Sequence, residues 1–199
     1  MATDIDAVIS NFRNFASLHS KNVAVIGAGG GQLIDLYKDA RKVIAIDNDK
    51  KALEKLKEKV IEKRRYDDYL LIDQDFHDVS IKADCIVFEF CLHEMNDIGK
   101  AVKKAREIAD TVIIIDHYWD FEWIKCVNEY EKVQKVRSYF EIDPPSKIQC
   151  FNQYQVFENH KDLFEKVKSQ GNEAIQYVRK FEKIQDIRIE FGYMICSYN

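Results

Sequence analysis

Proline and glycine are scarce, two and seven in 199 residues, which excludes a collagen-like, low-complexity or disordered chain; no internal repeat appears either. The five cysteines, Cys85, Cys91, Cys126, Cys150 and Cys196, are odd in number, far apart and without a CxxC pair. They form neither a disulfide framework nor a zinc knuckle and read as reduced thiols. No apolar run approaches the roughly 18 residues of a membrane span, and Met1-Ala2-Thr3-Asp4 lacks a basic segment followed by an apolar stretch. A cytoplasmic protein with no membrane partner is expected. Positive charge is not in excess: 30 Lys and Arg against 34 Asp and Glu leave a net charge of −4. With no basic field to draw in a phosphate backbone, the expected partner is a small molecule and not nucleic acid.

What is present is an alternation of buried strands and helices. Apolar residues make up 46% of the chain, enough for one domain over residues 1–199 with helical layers around a sheet. Val23-Ala24-Val25-Ile26, Val43-Ile44-Ala45-Ile46, Tyr69-Leu70-Leu71-Ile72, Cys85-Ile86-Val87-Phe88 and Thr111-Val112-Ile113-Ile114-Ile115 read as strands buried on both faces. Gln32 to Lys38 is expected to open a first crossover helix. Asn48 or Asp49 caps a second, whose Leu53, Leu56, Val60 and Ile61 form one stripe, and Ile98 to Ile108 forms a third. The pattern predicts an α/β fold with a doubly wound, mainly parallel sheet and its ligand at the carboxyl ends of the strands. Residues 1–19 are expected to hold a capping helix, and 118–147 an aromatic-rich helical lid insertion ending at Pro144-Pro145. A surface helix from Asp162 stops at Gly171, and segments near 174–183 and 187–197 are expected to close the chain as an antiparallel hairpin.

The chemistry concentrates where strands end. Gly27-Ala28-Gly29-Gly30-Gly31 follows the first strand and Asp47 ends the second. Glycines there let backbone approach a ligand where a Cβ would clash, and the acid can accept two ribose hydroxyls. The third position of a dinucleotide GxGxxG is Gln32, which argues against a nicotinamide cofactor.

Gly27, Gly29 and Gly31 with Asp47 instead resemble the opening motifs of class I S-adenosylmethionine-dependent methyltransferases. Gln74-Asp75-Phe76 resembles that family's adenine-binding stretch, and Ala83 to Asp97, with its Leu92-His93 pair, resembles the fourth-strand motif of its small-molecule branch. The resemblance covers residues 20–117. It implies a Rossmann-like, seven-stranded fold with a C-terminal antiparallel hairpin, S-adenosylmethionine as cofactor, and in-line methyl transfer to an O, N, S or C atom of a small acceptor. The implied cofactor contacts are Gly27, Gly29, Gly31, Asp47, Asn48, Asp75, Phe76 and Phe90. Where the family places an acid two positions before the first glycine, this chain has Val25. The cofactor's ammonium group then needs other partners: backbone carbonyls near Gly27 and Phe90, with Glu89 as a contributor.

His93, at the end of the fourth strand, and His117, following the fifth, are the candidate general bases, with Glu94 and Tyr118 facing the acceptor. Each has a duller reading as pocket lining, and Trp119, Phe121 and Trp123 read as packing. Asp116, His117, His93 and Glu94 share one edge, but no pair has the spacing of a dedicated metal site, and no metal is assigned. Two other classes stay open: a non-catalytic nucleoside-binding domain of the same fold, and a nicotinamide-dependent oxidoreductase.

Overall fold

Residues 4–199 are described by a computed structural model; residues 1–3 of the expected capping helix lie outside them. The strands are β1 (Asn22–Ile26), β2 (Lys42–Asp47), β3 (Tyr69–Asp73), β4 (Cys85–Glu89), β5 (Thr111–His117), β6 (Lys147–Asn159) and β7 (Gln185–Tyr198). They form one seven-stranded sheet in the order β3-β2-β1-β4-β5-β7-β6, and the pairs β1–β2, β1–β4, β2–β3 and β4–β5 are parallel. This is the mainly parallel, helix-flanked sheet of a Rossmann-like α/β fold. The chain order reverses at β1, which has β2 and β3 on one side and β4 and β5 on the other, and such a reversal opens a crevice at the strand ends.

Contacts divide the chain into two units. One comprises Ile5–Asp116, Pro145–Gln149 and Ile195–Asn199. Its helices are α1 (Ile5–Phe15), α2 (Lys50–Glu62) and α3 (Ile98–Ile108). Their buried residues are Val8, Ile9, Phe12 and Phe15 in α1, Leu53, Leu56 and Val60 in α2, and Ile98, Ala101, Val102 and Ala105 in α3; Ile61, expected in the stripe of α2, is instead exposed. Asp49 caps α2 by accepting from the backbone of Lys51 and Ala52, and Asp97 caps α3 through Lys100. At the centre, Cys85, Ile86, Val87 and Phe88 of β4 are wholly buried.

The other unit comprises His117–Pro144 and Cys150–Met194. It carries α4 (Trp123–Cys126), α5 (Tyr130–Ile142), α6 (His160–Val167) and α7 (Asn172–Val178). Trp123 stacks on Phe157 with ring centroids 6.0 Å apart, so that tryptophan is packing.

Several expectations need correction. Strand β3 is not buried on both faces: it is the edge of the sheet and Leu70 is exposed. The first crossover carries only a 3-10 turn, Ile34–Tyr37, entered through Leu33 at φ −102° and ψ 24°, outside the α-helical region, and without a side-chain cap. Residues 174–183 are not a strand: α7 and a 3-10 turn at Arg179–Phe181 occupy them. The terminal pair of strands is therefore β6 with β7, and β6 begins at Lys147, where a helical insertion was expected to end.

Candidate functional site

A cavity of about 340 Å³ opens at the carboxyl ends of β1, β2 and β4. Of the expected ligand contacts, Gly27, Asp47, Asn48, Asp75, Phe76 and Phe90 line it, together with Glu94. Sequence reasoning did not select Cys91, Met95, Asn96 and His77, which line it as well. The run from Phe90 to Asn96 follows β4 directly, so its placement at this edge was available from the strand assignment.

The turn after β1 begins when Gly27 and Ala28 donate their backbone N–H groups to Ile46 O, at 2.9 and 3.3 Å. Gly27 has φ +71°, and a Cβ there would lie 2.4 Å from Cys91 Cβ and 2.6 Å from its Sγ. The glycine thus admits the strand-end segment 90–91 close under the turn. Phe90 itself has φ +49°, and its N–H donates to Ile115 O at 2.7 Å. A non-glycine residue in this conformation costs on the order of 1 kcal/mol and marks a place where the surroundings over-determine the backbone.

Asp47 joins the pieces. Its Oδ2 accepts Gly29 N–H at 2.7 Å and its Oδ1 accepts Asp49 N–H at 2.8 Å. Each carboxylate oxygen has a second lone pair, so the group can still receive hydroxyls from the cavity. Asp75 plays a double part too. Its Oδ1 accepts His77 N–H at 2.7 Å and caps the 3-10 turn Phe76–Asp78, which is the duller reading of that acid realised while the residue also borders the cavity. Phe76 is 3% exposed and meets Phe88 edge-on at 5.6 Å. It offers the cavity a fixed ring rather than a mobile one.

Glu89 does not line this cavity. Its carboxyl group lies beneath the glycine turn, in a smaller cavity with Val25, Gly31, Ile34 and Tyr37, and accepts the Tyr37 hydroxyl at 2.8 Å. Burial pushes its pKa up to about 8. The expected contact between Glu89 and an ammonium ligand is therefore not the one this geometry offers.

His93 is 4% exposed and Asp116, at the end of β5, is fully buried. Asp116 grips the histidine twice: Oδ1 lies 2.5 Å from the ring Nδ1, and Oδ2 accepts the backbone N–H at 3.0 Å. A carboxylate at Nδ1 keeps the proton there and leaves Nε2 as the basic nitrogen. Nε2 lies 3.5 Å from Glu94 Oε1, and Glu94 borders the cavity. His117 and Tyr118 belong to the other unit. There, His117 Nε2 is 3.2 Å from Glu129 Oε2 and its ring meets Phe191 edge-on at 5.5 Å. Tyr118 packs against Trp119 at 4.4 Å, with its hydroxyl pKa raised by burial and by Cys150.

The arrangement suits a purine nucleoside with a charged tail. It has two acceptor carboxylates, two aromatic rings and a turn whose first residue tolerates no side chain. Among the described residues no helix is long and apolar enough to cross a membrane.

Residues 24–111 match a family model described as a methyltransferase domain. Among curated proteins, the chain is similar to ribosomal RNA small subunit methyltransferase A of Mycoplasmopsis synoviae (strain 53), 26% identical over 150 residues, 74% of this chain and 53% of that protein. The chain thus spans about half the length of the curated relative it matches. Among solved structures, the YcgJ protein of Bacillus subtilis superposes with a TM-score of 0.72 at 13% identity, covering 96% of this chain and 97% of the other. The tRNA m1G37 methyltransferase of M. jannaschii gives 0.53 at 16% identity, covering 98% of this chain and 47% of the other. At such identities the structural likenesses show the fold.

The curated relative overturns the exclusion of nucleic acid, since it is an rRNA methyltransferase. The physical error was to treat net charge as a local property. Residues 50–65 alone hold eight cations against three acids, so an overall charge of −4 does not bar a polyanion from one face.

Proposed function

We propose, from the premise that this chain carries a class I S-adenosylmethionine-dependent methyltransferase domain and fold, that it catalyses transfer of the cofactor's methyl group to a small acceptor. The observation that carries the reading is the cavity at the β1, β2 and β4 ends, where Asp47 is fastened to the glycine turn and Asp75, Phe76 and Phe90 complete the wall. S-adenosylmethionine supplies an electrophilic methyl group on a sulfonium.

The residues of this chain hold and align it. In this reading Asp47 accepts the ribose hydroxyls, Asn48 flanks them, Asp75 accepts from the adenine amine, and Phe76 and Phe90 bound the ring. The turn Gly27, Gly29 and Gly31 gives backbone access to the remainder, with carbonyls near Gly27 and Phe90 receiving the ammonium group. Alignment and exclusion of water account for most of the acceleration of such a displacement.

When the acceptor carries a proton, His93 takes it at Nε2, through Glu94 at the cavity wall. Asp116 holds the ring in the required tautomer and stabilises the imidazolium that results. Removal of the proton in this way is worth about 10²–10⁴-fold. His117, backed by Glu129, is the second candidate base.

A second reading is favoured by the rRNA methyltransferase to which the chain is similar: the acceptor is a base in RNA. One experiment separates the two. The protein is incubated with S-adenosylmethionine carrying a labelled methyl group, in parallel with a panel of thiols, phenols and amines and with total RNA. Label on a small molecule supports the first reading. Label on RNA alone replaces it with the second, and label on neither, despite tight cofactor binding, returns the domain to a non-catalytic role.

A further inference from the structure

The buried carboxyl group of Glu89 has no task in the mechanism above, yet its surroundings are specific. The parallel register pairs Val25 of β1 with Val87 of β4, and side chains two apart on a strand share a face. Glu89 therefore projects from the same face as Val25, into the small cavity under the glycine turn. There β1 itself contributes only an apolar side chain. The carboxyl group accepts the hydroxyl of Tyr37 at 2.8 Å, and it feels the backbone N–H of Leu33, two residues past the last glycine of the turn, as a stabilising dipole. Both donors belong to the short segment that leads from the turn toward β2, and both are buried: Leu33 is 1% and Tyr37 2% exposed.

We propose that Glu89 is a positioning residue for the cofactor. It ties the segment Leu33–Tyr37 to the end of β4 and so holds the glycine turn, from beneath, in the shape that receives the ligand. The turn has few other anchors on this side. Gly31 N–H reaches only Ala28 O, at 3.2 Å, and Gly31 O receives Lys59 Nζ at 3.2 Å. Without Glu89, the Tyr37 hydroxyl loses its acceptor in an apolar pocket, and the Leu33 N–H loses the carboxyl group beside it. A buried donor in that state is costly, and the segment relieves it by moving. A glutamine of the same shape still presents a carbonyl oxygen to the Tyr37 hydroxyl, whereas leucine presents none. The inference depends on S-adenosylmethionine as cofactor and is indifferent to the acceptor.

The test compares Glu89→Gln and Glu89→Leu with the parent. Dissociation constants for S-adenosylmethionine and its demethylated product are measured by calorimetry, and the Leu33 amide is followed by hydrogen exchange without ligand. The expected result is binding within about threefold of the parent for Glu89→Gln, and weakening of about tenfold or more for Glu89→Leu with faster exchange at Leu33, the size set by one or two orphaned buried donors. A folded Glu89→Leu protein that binds as the parent does, with an unchanged Leu33 amide, overturns the proposal. If that variant does not fold, Tyr37→Phe decides: weaker binding with faster Leu33 exchange supports the tether, and no change in either removes it. Failure of the parent itself to bind the cofactor refutes the cofactor assignment instead, and the exchange measurement still reports on the tether.

Discussion

Asp47 Oδ2 accepts the backbone N–H of Gly29 at 2.7 Å, so the acid that ends β2 and the turn that follows β1 hold each other in place. The same carboxylate steadies the entry to α2 through Asp49 N–H. Asp47→Ala therefore removes the ribose contact proposed above and also loosens the turn that shapes the cavity. A hydrogen bond to a charged group is worth about 1.5–3 kcal/mol, so the variant is expected to bind S-adenosylmethionine roughly a hundredfold more weakly. Asp49→Ala serves as the contrast. It removes the cap of α2, at about 1 kcal/mol of stability, and leaves cofactor affinity near that of the parent. Calorimetry on both proteins checks the pair, and an Asp47→Ala variant with parental affinity would count against the site.

Gly27 and Cys91 form a second coupled pair. A methyl group on Gly27 would overlap both Cβ and Sγ of Cys91, in a backbone conformation that L residues rarely adopt. Gly27→Ala is expected to lower stability by about 2 kcal/mol or more, from overpacking added to backbone strain. Adding Cys91→Gly removes the two overlapping atoms and leaves the strain and a 3.3 Å approach to Glu89 O. The double variant should therefore be more stable than the sum of the two single effects, a coupling readable from urea unfolding midpoints. Strict additivity would show that Cys91 is not what Gly27 accommodates.

The strands that build the site were legible because β1, β2, β4 and β5 are buried on both faces and so read as continuous apolar runs. Asp47 stood out because an acid closes such a run. The outer strand was hidden for the opposite reason. Most of β6 is exposed, and its inward positions are Phe151, Gln153, Gln155 and Phe157 while Ile148, Tyr154 and Val156 are exposed, so apolar and polar residues do not sort onto opposite faces. Residues 174–183 looked like a strand through Ile175, Tyr177 and Phe181, but the buried positions are Ala174 and Val178, four apart, which is helical spacing. The meeting of His93, Glu94 and Asp116 at one edge follows from the adjacency of β4 and β5. The direct clasp of His93 by Asp116 does not, since it depends on a ring rotamer and on a backbone N–H that no spacing reveals.

That clasp makes a prediction of its own. Asp116→Asn keeps the shape but offers an amide where a carboxylate stood, so Nδ1 no longer reliably carries the proton and Nε2 loses basicity. For an acceptor that must give up a proton, turnover is expected to fall by about 10²–10⁴-fold, with cofactor affinity unchanged. The rate should recover in part at high pH, where the acceptor ionises without help. Steady-state kinetics across pH with titrated cofactor binding checks this. Parental turnover in both Asp116→Asn and His93→Ala would move the base elsewhere, to His117 first.

Glu89 sets how stability should vary with pH. Burial raises its pKa from 4.5 to about 8 in the folded protein, against smaller lowering effects of the Tyr37 hydroxyl, the Leu33 N–H and Lys59 and a further raising effect of Asp47. Below pH 4.5 both the folded and unfolded chains hold the proton and this group makes no difference. Between 4.5 and about 8 the unfolded chain has released it while the folded protein retains it. The folded state then binds more protons, and stability falls as pH rises through that window, by up to roughly 1.4 kcal/mol per unit, before levelling off above it. Glu89→Gln cannot ionise and should flatten this contribution, so the gap in urea midpoint between variant and parent widens in the variant's favour from about pH 5 to about pH 8. A gap that stays constant over the range would mean that Glu89 is ionised in the folded protein at neutral pH.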